Sequence, residues 1–400
     1  MALSDHGNRS EQRAHSGYRL TARRNCRLDQ DLDKSRVYID ITRRHHAAAP
    51  GNPLARRSKA ISPGPLEGTA APGIGESQMR AIRLSVYGSP VDGLAMADVP
   101  EPKAPGANEV LVAIEYSPIN PNDLLVARGA YPLRPELPSV IGNEGVGRVL
   151  TVGPGVTNVA VGDRVVPRRS SWVWRERMVV PAGGLFALPV GADPKQLAML
   201  TINPPTASLL LSDYVDLNRG DVVVQNAANS GVGRWVIAFA KRRGLRTVNI
   251  VRRAELVPDL QAAGGDVVVV DGPEVIQEIK KAVGSDRIRL ALDGVSGPAT
   301  GVLASLLAPD GTLVAYSAMS GSPMVLNPLA VIFTSITVKG FFMGHAQWER
   351  KIPPAIEEAA RLVAGGVKVP IAAVYRLSEI KKAVEHTLRG GKVLLDVAGG

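Results

Sequence analysis

Residues 226–233 combine small and polar side chains in a pattern that could hold a phosphate group. They read Asn-Ala-Ala-Asn-Ser-Gly-Val-Gly, follow the apolar run "DVVVQ" and open a helical pattern. Small side chains let the backbone approach a pyrophosphate, and a helix N-terminus adds amide donors and the positive end of its dipole. The first glycine of the usual G-x-G-x-x-G is absent, so a turn without a ligand is the alternative. The strand before and the helix after favour a dinucleotide site.

Two arginines at the end of the next predicted strand distinguish between the nicotinamide cofactors. Proteins that bind NAD place an acidic residue there for the ribose hydroxyl groups. This chain has Arg252 and Arg253 instead, after the run "RTVNIV". A guanidinium group can pair with a 2′-phosphate through two parallel hydrogen bonds, so the pair favours NADPH over NADH. The alternative is a solvated pair of surface arginines.

The sequence lacks the ligands of a catalytic zinc. Residues 142–147, Gly-Asn-Glu-Gly-Val-Gly, match a spacing signature of the zinc alcohol dehydrogenases in the medium-chain dehydrogenase/reductase superfamily. Those enzymes carry a histidine ligand where this chain has Asn143. The only cysteine is Cys26, and His345 and His386 are the only histidines after residue 78. Because a catalytic zinc needs three protein ligands and an open position, we expect no metal.

Two hydrophobic patterns follow one another along the chain, and each predicts a domain. Over 79–201, short runs such as "EVLVAIEYS" and "VGDRVV" are separated by glycine and proline, which predicts a mainly β domain. Over 202–340, strands such as "DVVVQNA" and "DVVVVD" alternate with helical patterns such as "VGRWVIAFAKRRG". Such alternation predicts a doubly wound parallel sheet with helices on both faces, and the fold class is therefore α/β. The segment 341–400 is expected to return to the first domain.

Four stretches of the chain resemble one known family. They read "SPINPNDLLVARGAYPLRPELPSVIGNEGVG", "INPPTA", "QNAANSGVG" and "LRTVNIVRR". The chain resembles the zinc-free, mitochondrial-type trans-2-enoyl-CoA/acyl-carrier-protein reductases over nearly all of residues 79–400. Its Asn-Ser-Gly-Val-Gly run is more specific than the Gly-Gly-Val-Gly usual in related quinone oxidoreductases. The resemblance implies a GroES-like catalytic domain joined to a Rossmann domain, and commonly a homodimer.

The resemblance also implies positions for the active site. The family's active-site acid, a tyrosine, falls on Tyr131. Its cofactor contacts fall on an asparagine before a proline, the pyrophosphate turn, the arginine pair, two stretches beside the nicotinamide and a lysine near the C-terminus. In this sequence these are Asn203, Asn229, Ser230, Gly231, Val232, Gly233, Arg252, Arg253, Tyr316, Ser317, Ala318, Met319, Phe341, Phe342, Met343 and Lys392. Where family members often have Phe-Trp-Leu, this chain has Phe-Phe-Met at 341–343, which leaves the acyl-chain preference open. Trp348 either lines an acyl tunnel or packs at a domain interface.

The activity that the resemblance implies is NADPH-dependent reduction of trans-2-enoyl thioesters, as in fatty acid synthesis, with the acyl group on coenzyme A or acyl carrier protein. A hydride adds to Cβ and a proton to Cα, and hydrogen-bond donors can stabilise the charge on the thioester oxygen without a metal. A tyrosine with an ordinary pKa of about 10 is protonated at neutral pH, so Tyr131 can serve as that donor or acid. Reduction of quinones, alkenals or enones on the same fold is an alternative, and nucleotide binding without turnover is another.

Residues 1–78 differ in composition from the rest and are predicted to be a disordered extension. They hold 13 Lys/Arg and 8 Asp/Glu, and no apolar periodicity, so they cannot bury enough surface to offset their chain entropy. Acidic residues such as Asp29 and Asp31 interrupt the arginine-rich pattern of a transit peptide. With the extension discounted we expect a cytoplasmic enzyme, or a mitochondrial one if the chain is eukaryotic and the extension is a transit segment.

The overall composition excludes several classes of protein. Half of the formal net charge of +10 lies in residues 1–78, and only 4% of residues are aromatic, which argues against nucleic-acid binding. No run of 18 apolar residues occurs, so the sequence predicts no membrane-spanning helix.

Overall fold

The computed structural model describes residues 77–399, and the first part of them folds mainly into antiparallel strands. These strands are β1 (Gln78–Leu84), β2 (Leu94–Pro100), β3 (Glu109–Ile119), β4 (Ser139–Val140), β5 (Val146–Val152), β6 (Arg164–Val165) and β7 (Arg177–Pro181). β3 is central, since it pairs antiparallel with both β5 and β7. Val110, Val112 and Ile114 of β3 are buried in alternation, as expected for a strand with one face on the core. The strand predicted over 161–166 is confirmed only at β6, because Gly162, with a φ of +90°, forms a turn.

Short helices with proline in the first turn connect these strands. They are α1 (Pro90–Gly93), α2 (Pro121–Ala127), α3 (Pro194–Leu197) and α4 (Asn203–Ser212). Proline suits a first turn because that position has no intrahelical partner for an N–H. The start of α2 is fixed by Asp123, whose carboxylate accepts the backbone N–H of Asn120 at 2.8 Å. α4 is buried on every side from Asn203 to Leu211, so it lies in the interior.

From Val222 onward, strands and helices alternate. The elements are β8 (Val222–Gln225), α5 (Gly231–Arg243), β9 (Arg246–Val251), α6 (Val257–Ala262), β10 (Val267–Val270), α7 (Val275–Val283), β11 (Ile288–Asp293), α8 (Pro298–Leu306), β12 (Thr312–Ala315), α9 (Pro328–Thr334) and β13 (Thr337–Gly340). All six strands are parallel, in the order β10-β9-β8-β11-β12-β13. This is the doubly wound order, and it confirms the predicted parallel sheet. Such folds bind nucleotides outside the carboxyl ends of the strands, where β8 and β11 meet.

The helix predicted after the dinucleotide turn is confirmed as α5. Its residues Val236, Ile237 and Ala240 are buried as predicted, and Val232 is half-buried. Gly244 ends the helix with a φ of +72°, a left-handed conformation that glycine adopts without a steric penalty.

The end of the chain returns to the first sheet. It contains α10 (Ile352–Ala364), β14 (Ala373–Arg376), α11 (Ile380–Arg389) and β15 (Val393–Asp396), and single turns of 3₁₀ helix occur at Ala254–Leu256, Ala346–Trp348 and Leu377–Glu379. β15 pairs antiparallel with β3, and β14 pairs parallel with β15. One apolar core contains Val146 and Leu394 from this sheet together with Trp235 and Trp348, so the two parts share buried surface. None of the helices within 77–399 has both the length and the apolarity needed to cross a membrane.

Candidate active site

The turn between β8 and α5 is shaped by glycines and by a serine cap. Ser230 caps α5, because its Oγ accepts the backbone N–H of Gly233 at 3.1 Å. A Cβ on Gly231 would lie 2.5 Å from Nδ2 of Asn203, and a Cβ on Gly233 would lie 2.5 Å from the carbonyl oxygen of Ala228. Position 233 therefore requires glycine, because the obstructing atom belongs to the backbone, whereas a side chain at position 231 would displace the amide of Asn203. The predicted pyrophosphate residues form the first turn of a long helix, which is a geometry that suits an anion.

Asn203 lies against this turn although it is distant in the sequence. It is the first residue of α4 and is 9% exposed, and its amide is the group next to Gly231. Of the other turn residues, Asn229 is exposed and Val232 is half-buried. The fold thus brings Asn203 together with the predicted pyrophosphate turn.

Arg252 and Arg253 follow β9 directly, and both side chains are exposed. β9 is the neighbour of β8 in the sheet, so the arginines and the pyrophosphate turn both lie at the carboxyl ends of adjacent parallel strands. Arg253 also pairs with Glu255 at 3.3 Å, and both partners are largely exposed, so this pair contributes little stability. Two accessible guanidinium groups at this position fit the 2′-phosphate of NADPH.

A second segment predicted to contact the cofactor follows β12, at the same carboxyl ends of the parallel strands. The hydroxyl of Tyr316 is buried near Ser230 and makes no hydrogen bond of ordinary geometry within residues 77–399. Burial raises the pKa of Tyr316 above its usual value. A buried hydroxyl without a partner is a natural contact for a bound polar group. Ser317, Ala318 and Met319 follow it and are exposed.

A cleft of about 440 Å³ contains the predicted active-site acid. Tyr131, Arg169, Phe342 and Met343 line it, and the rings of Tyr131 and Phe342 meet edge to face with centroids 6.1 Å apart. Burial raises the pKa of Tyr131, while the nearby amide of Asn122 and the charge of Arg169 oppose that rise. Since the pKa lies above its ordinary value of about 10, the hydroxyl is a proton donor at neutral pH.

The three residues after β13 divide between the core and the cleft. Phe341 is 9% exposed and packs on Trp348, with ring centroids 5.6 Å apart. Phe342 and Met343 line the cleft instead. Trp348 is buried in the core shared by the two parts, and its Nε1 donates to the carbonyl oxygen of Phe342 at 3.1 Å. Of the two roles considered for Trp348, the structure supports packing between domains.

Asn143, at the position where zinc alcohol dehydrogenases carry a histidine, is engaged in hydrogen bonds. Its backbone N–H and Nδ2 donate to Oδ1 of Asp123 at 2.9 and 2.7 Å, and its Oδ1 accepts from Oγ of Ser170 at 3.0 Å. Within residues 77–399, no three His, Cys, Asp or Glu side chains are grouped so that they could hold a metal ion. An amide held in this way does not fit the donor set of a catalytic zinc.

Sequence reasoning misses a buried polar network between the start of α2 and the start of α4. The carboxylate of Glu144 accepts from Nδ2 of Asn120 at 2.7 Å and from the backbone N–H groups of Thr201 and Ile202 at 3.0 and 3.1 Å. Nζ of Lys392 donates to Oδ1 of Asn120 at 2.6 Å. Burial raises the pKa of Glu144 and lowers the pKa of Lys392, while their attraction for each other opposes both changes.

This network explains where Lys392 lies. The resemblance assigns Lys392 to the cofactor, and in the structure its amine is held beside Asn120, at the start of α2. Asp123 of the same helix is fully buried, and burial raises its pKa to about 7. The one sequence signal for the network is a charged residue, Glu144, between glycines and apolar residues.

Two family models match the chain. The model of the alcohol dehydrogenase GroES-like domain matches residues 106–190, and the model described as zinc-binding dehydrogenase matches residues 231–365. The GroES-like part of the predicted fold is thereby confirmed, although the position of the zinc histidine holds Asn143.

A curated relative and two solved structures are similar to nearly the whole described chain. A mitochondrial enoyl-[acyl-carrier-protein] reductase of Caenorhabditis elegans is 38% identical over 319 residues, which is 78% of this chain and 89% of the relative. The structure of an Etr1p/NADP/crotonyl-CoA complex is 25% identical with a TM-score of 0.73, over 80% of this chain and 100% of that one. A proposed NADPH:quinone reductase of Bacillus thuringiensis is 27% identical with a TM-score of 0.71, over 80% of this chain and 99% of that one.

Proposed function

The chain belongs to the enoyl-[acyl-carrier-protein] reductases of the medium-chain dehydrogenase/reductase superfamily, and we propose on that basis that it reduces trans-2-enoyl thioesters with NADPH. The product is the saturated acyl thioester, and the enzyme is an oxidoreductase that acts on CH–CH bonds. The acyl group is carried by coenzyme A or by acyl carrier protein. No step is assigned to a metal, because the residues around Asn143 do not fit one.

The observation that carries the proposal is Tyr131 in the cleft beside Phe342 and Met343. A protonated phenol faces a cavity that also borders the segment expected beside the nicotinamide. The cleft and the dinucleotide turn are connected through α4, since Ile202 lines the cleft and Asn203 touches Gly231. This arrangement supports a site in which an acyl group lies between the cofactor and an acid.

The reaction requires the protein to stabilise a negative charge and to supply a proton. As the double bond is reduced, negative charge builds on the thioester oxygen, and a donor near that oxygen lowers the barrier. A proton must then reach Cα. We assign to Tyr131 the hydrogen bond to the developing enolate or the delivery of this proton, directly or through water. When bound, NADPH supplies the hydride for Cβ.

The cofactor is proposed to lie across the carboxyl ends of the parallel strands. The first turn of α5 would hold the pyrophosphate, and Arg252 and Arg253 would pair with the 2′-phosphate. The buried hydroxyl of Tyr316 and the amide of Asn203 would contact the cofactor between this turn and the cleft. Lys392 would contribute to the site indirectly, by holding the side chain of Asn120 in place through its hydrogen bond.

The proposal is tested by following NADPH consumption by the full chain with crotonyl-CoA, a longer trans-2-enoyl-CoA and a quinone. NADH in place of NADPH is the cofactor control. Turnover of the thioesters with NADPH, and little turnover of the quinone, is the expected result. Turnover of the quinone alone would replace the proposal with quinone reduction, the alternative that the similarity to the Bacillus thuringiensis protein favours.

We propose further that the protein is a homodimer. In the described part of the chain, β13 is the last strand of the parallel sheet, and all of its residues are exposed. Beside it, α9 exposes the apolar side chains of Leu329, Ile332 and Phe333. An open strand edge next to exposed apolar side chains marks a surface for pairing. A second copy related by a two-fold axis would continue the sheet across β13.

The location depends on residues 1–78, and of these only Ser77 and Gln78 belong to the described residues. The curated relative carries "mitochondrial" in its name, whereas the sequence alone favours a cytoplasmic enzyme with an extension. Mass spectrometry of the native N-terminus decides between them. A chain that begins near residue 79 in a mitochondrial fraction supports a transit segment.

A further inference from the structure

Arg169 is a cation in the cleft whose function the sequence does not suggest. It lines the same cavity as Tyr131, and its side chain is half-buried. One guanidinium nitrogen donates to the carbonyl oxygen of Met343 at 3.0 Å, which fixes the side chain beside the segment after β13. The remaining N–H groups are available to other groups in the cleft.

No carboxylate forms an ion pair with Arg169 in the described part of the chain. Arg168, one residue earlier, differs in this respect, because it is largely exposed and pairs with Glu349 at 3.0 Å. Burial lowers the pKa of Arg169 and the charge of Arg168 lowers it further, while the charges of Tyr131 and Glu349 oppose this decrease. A partly buried cation without a carboxylate partner is costly, so its presence beside an acid calls for a function.

The positive charge of Arg169 can stabilise the ionised form of Tyr131, which lines the same cleft. The charge of Arg169 favours the ionised form of Tyr131, whereas burial and the carboxylate of Asp123 disfavour it. If Tyr131 gives its proton to Cα, the O–H bond breaks, the electron pair of the enolate forms the new C–H bond, and the negative charge moves to the phenolate oxygen. A phenolate in a half-buried cleft needs a compensating charge, because burial penalises the ionised form.

We propose that Arg169 acts through Tyr131 as a positioning residue, and that its guanidinium stabilises the phenolate formed when Tyr131 delivers the proton. The charge is removed again when solvent reprotonates the phenolate. This inference rests on the proposed function, since it takes Tyr131 as the acid. It adds a residue that neither the turn motif nor the family resemblance assigns.

A double-mutant cycle tests this coupling. Arg169→Gln removes the charge, and Arg169→Lys keeps it. Arg148→Gln is the control, because Arg148 is an exposed arginine of β5 that does not line the cleft. Arg169→Gln is expected to lower kcat by about 10²-fold, as for loss of acid catalysis, with little change in the KM for NADPH. Arg169→Lys should recover part of the loss, and Arg148→Gln should stay close to the wild type. In a Tyr131→Phe background, Arg169→Gln should cause no further loss.

Equal losses in both backgrounds would overturn the inference, because Arg169 would then act independently of Tyr131. No loss in either background would overturn it as well. Thermal melts with and without NADPH show whether each variant folds, and if Arg169→Gln does not fold, Arg169→Met takes its place.

A second readout needs no substrate. The ultraviolet absorbance of tyrosinate, measured after a rapid rise in pH and corrected with the Tyr131→Phe variant, reports the ionisation of Tyr131 alone. Arg169→Gln should move this ionisation to higher pH, while Arg148→Gln should leave it nearly in place. An unchanged ionisation would refute the coupling. If the wild type reduced no enoyl thioester, the proposed function would fail, and this titration would still decide whether Arg169 stabilises the phenolate.

Discussion

At the scale of single residues, the sequence predicts the charged and small groups of the cofactor site better than it predicts the acid. Arg252, Arg253 and the turn at Ser230 follow from residue type and position next to a strand. Tyr131 is one of eight tyrosines and has no local motif, so only the family resemblance selects it. Neither residue type nor the family resemblance identifies Arg169 and Glu144, because their functions depend on contacts between distant segments.

Replacement of Tyr131 by Phe should lower kcat by about 10²-fold or more while the KM for NADPH changes little. The phenol hydroxyl is the donor in the cleft, and the ring, which packs on Phe342, is kept. Steady-state kinetics with crotonyl-CoA measure the effect. Tyr375→Phe is the matched control, because its hydroxyl bonds with His386 at 3.0 Å and does not line the cleft. Unchanged turnover in Tyr131→Phe would remove Tyr131 from the mechanism.

The paired change Arg252→Ala and Arg253→Ala should raise the KM for NADPH by about tenfold for each arginine removed, without raising the KM for NADH. Only NADPH carries the phosphate that these exposed guanidinium groups would contact. Arg246→Ala is a suitable control, since Arg246 is at the opposite end of β9 and pairs with Asp286. Equal effects on the two cofactors would show that the arginines do not bind the 2′-phosphate.

Asp123 should make the stability of the protein depend on pH in a defined window. Burial raises its pKa from an ordinary 3.8 to about 7, so the folded protein keeps a proton that the unfolded chain releases. The contribution of Asp123 to the free energy of unfolding therefore falls as pH rises from about 4 to about 7. The Tm of the wild type minus that of Asp123→Asn should fall over this range. A difference that is constant with pH would contradict this account of the carboxyl group.

At the scale of elements, the buried strands and α5 are predictable because their apolar runs are continuous and their ends are marked. β8 and β10 consist mainly of valine, β9, β11 and β12 are rich in valine, isoleucine or leucine, and Gly244 marks the end of α5. β4 and β6 have two residues each, which is too short for a hydrophobic period to identify. α4 is buried on all sides, so its position depends on tertiary contacts rather than on an amphipathic pattern.

Glu144→Gln should disturb the start of α4 and, through it, the cofactor site. The carboxylate accepts backbone N–H groups from Thr201 and Ile202 as well as the amide of Asn120, and a glutamine would turn an NH₂ group toward one of these donors. We expect a loss of about 1–3 kcal/mol in the free energy of unfolding and a higher KM for NADPH.

The control for this change is Glu115→Gln. Glu115 pairs with Arg164 at 2.6 Å in the same sheet but is partly exposed, so its loss should cost less stability. Denaturant unfolding and steady-state kinetics compare the two variants. Equal effects would show that Glu144 is not linked to the cofactor site through α4.

At the scale of the whole molecule, the parallel sheet follows from the alternation of strands and helices, whereas the strand at its edge and the assembly do not. The open edge at β13 becomes visible only when the strand order is known. The expected assembly is two copies that meet at β13 and α9.

Phe333→Asp combined with Val338→Lys should convert the dimer into a monomer, because charges at a paired strand edge oppose association. Both side chains are exposed in the single chain, at 79% and 39%. Light scattering after size-exclusion chromatography gives the mass. Val190→Asp changes an exposed valine elsewhere and should leave the dimer intact. A wild-type monomer, or a dimer that survives the double change, would contradict the proposed interface.

The most direct test of the central claim follows the hydrogen atoms of the reaction. The full chain is incubated with a trans-2-enoyl thioester and NADPH that is deuterated at both positions of the nicotinamide C4, and NMR locates deuterium in the product. The account predicts a saturated thioester with one deuterium at Cβ and a solvent-derived hydrogen at Cα. NADPH that binds to the protein while the thioester stays unsaturated, or deuterium that is absent from Cβ, would contradict it.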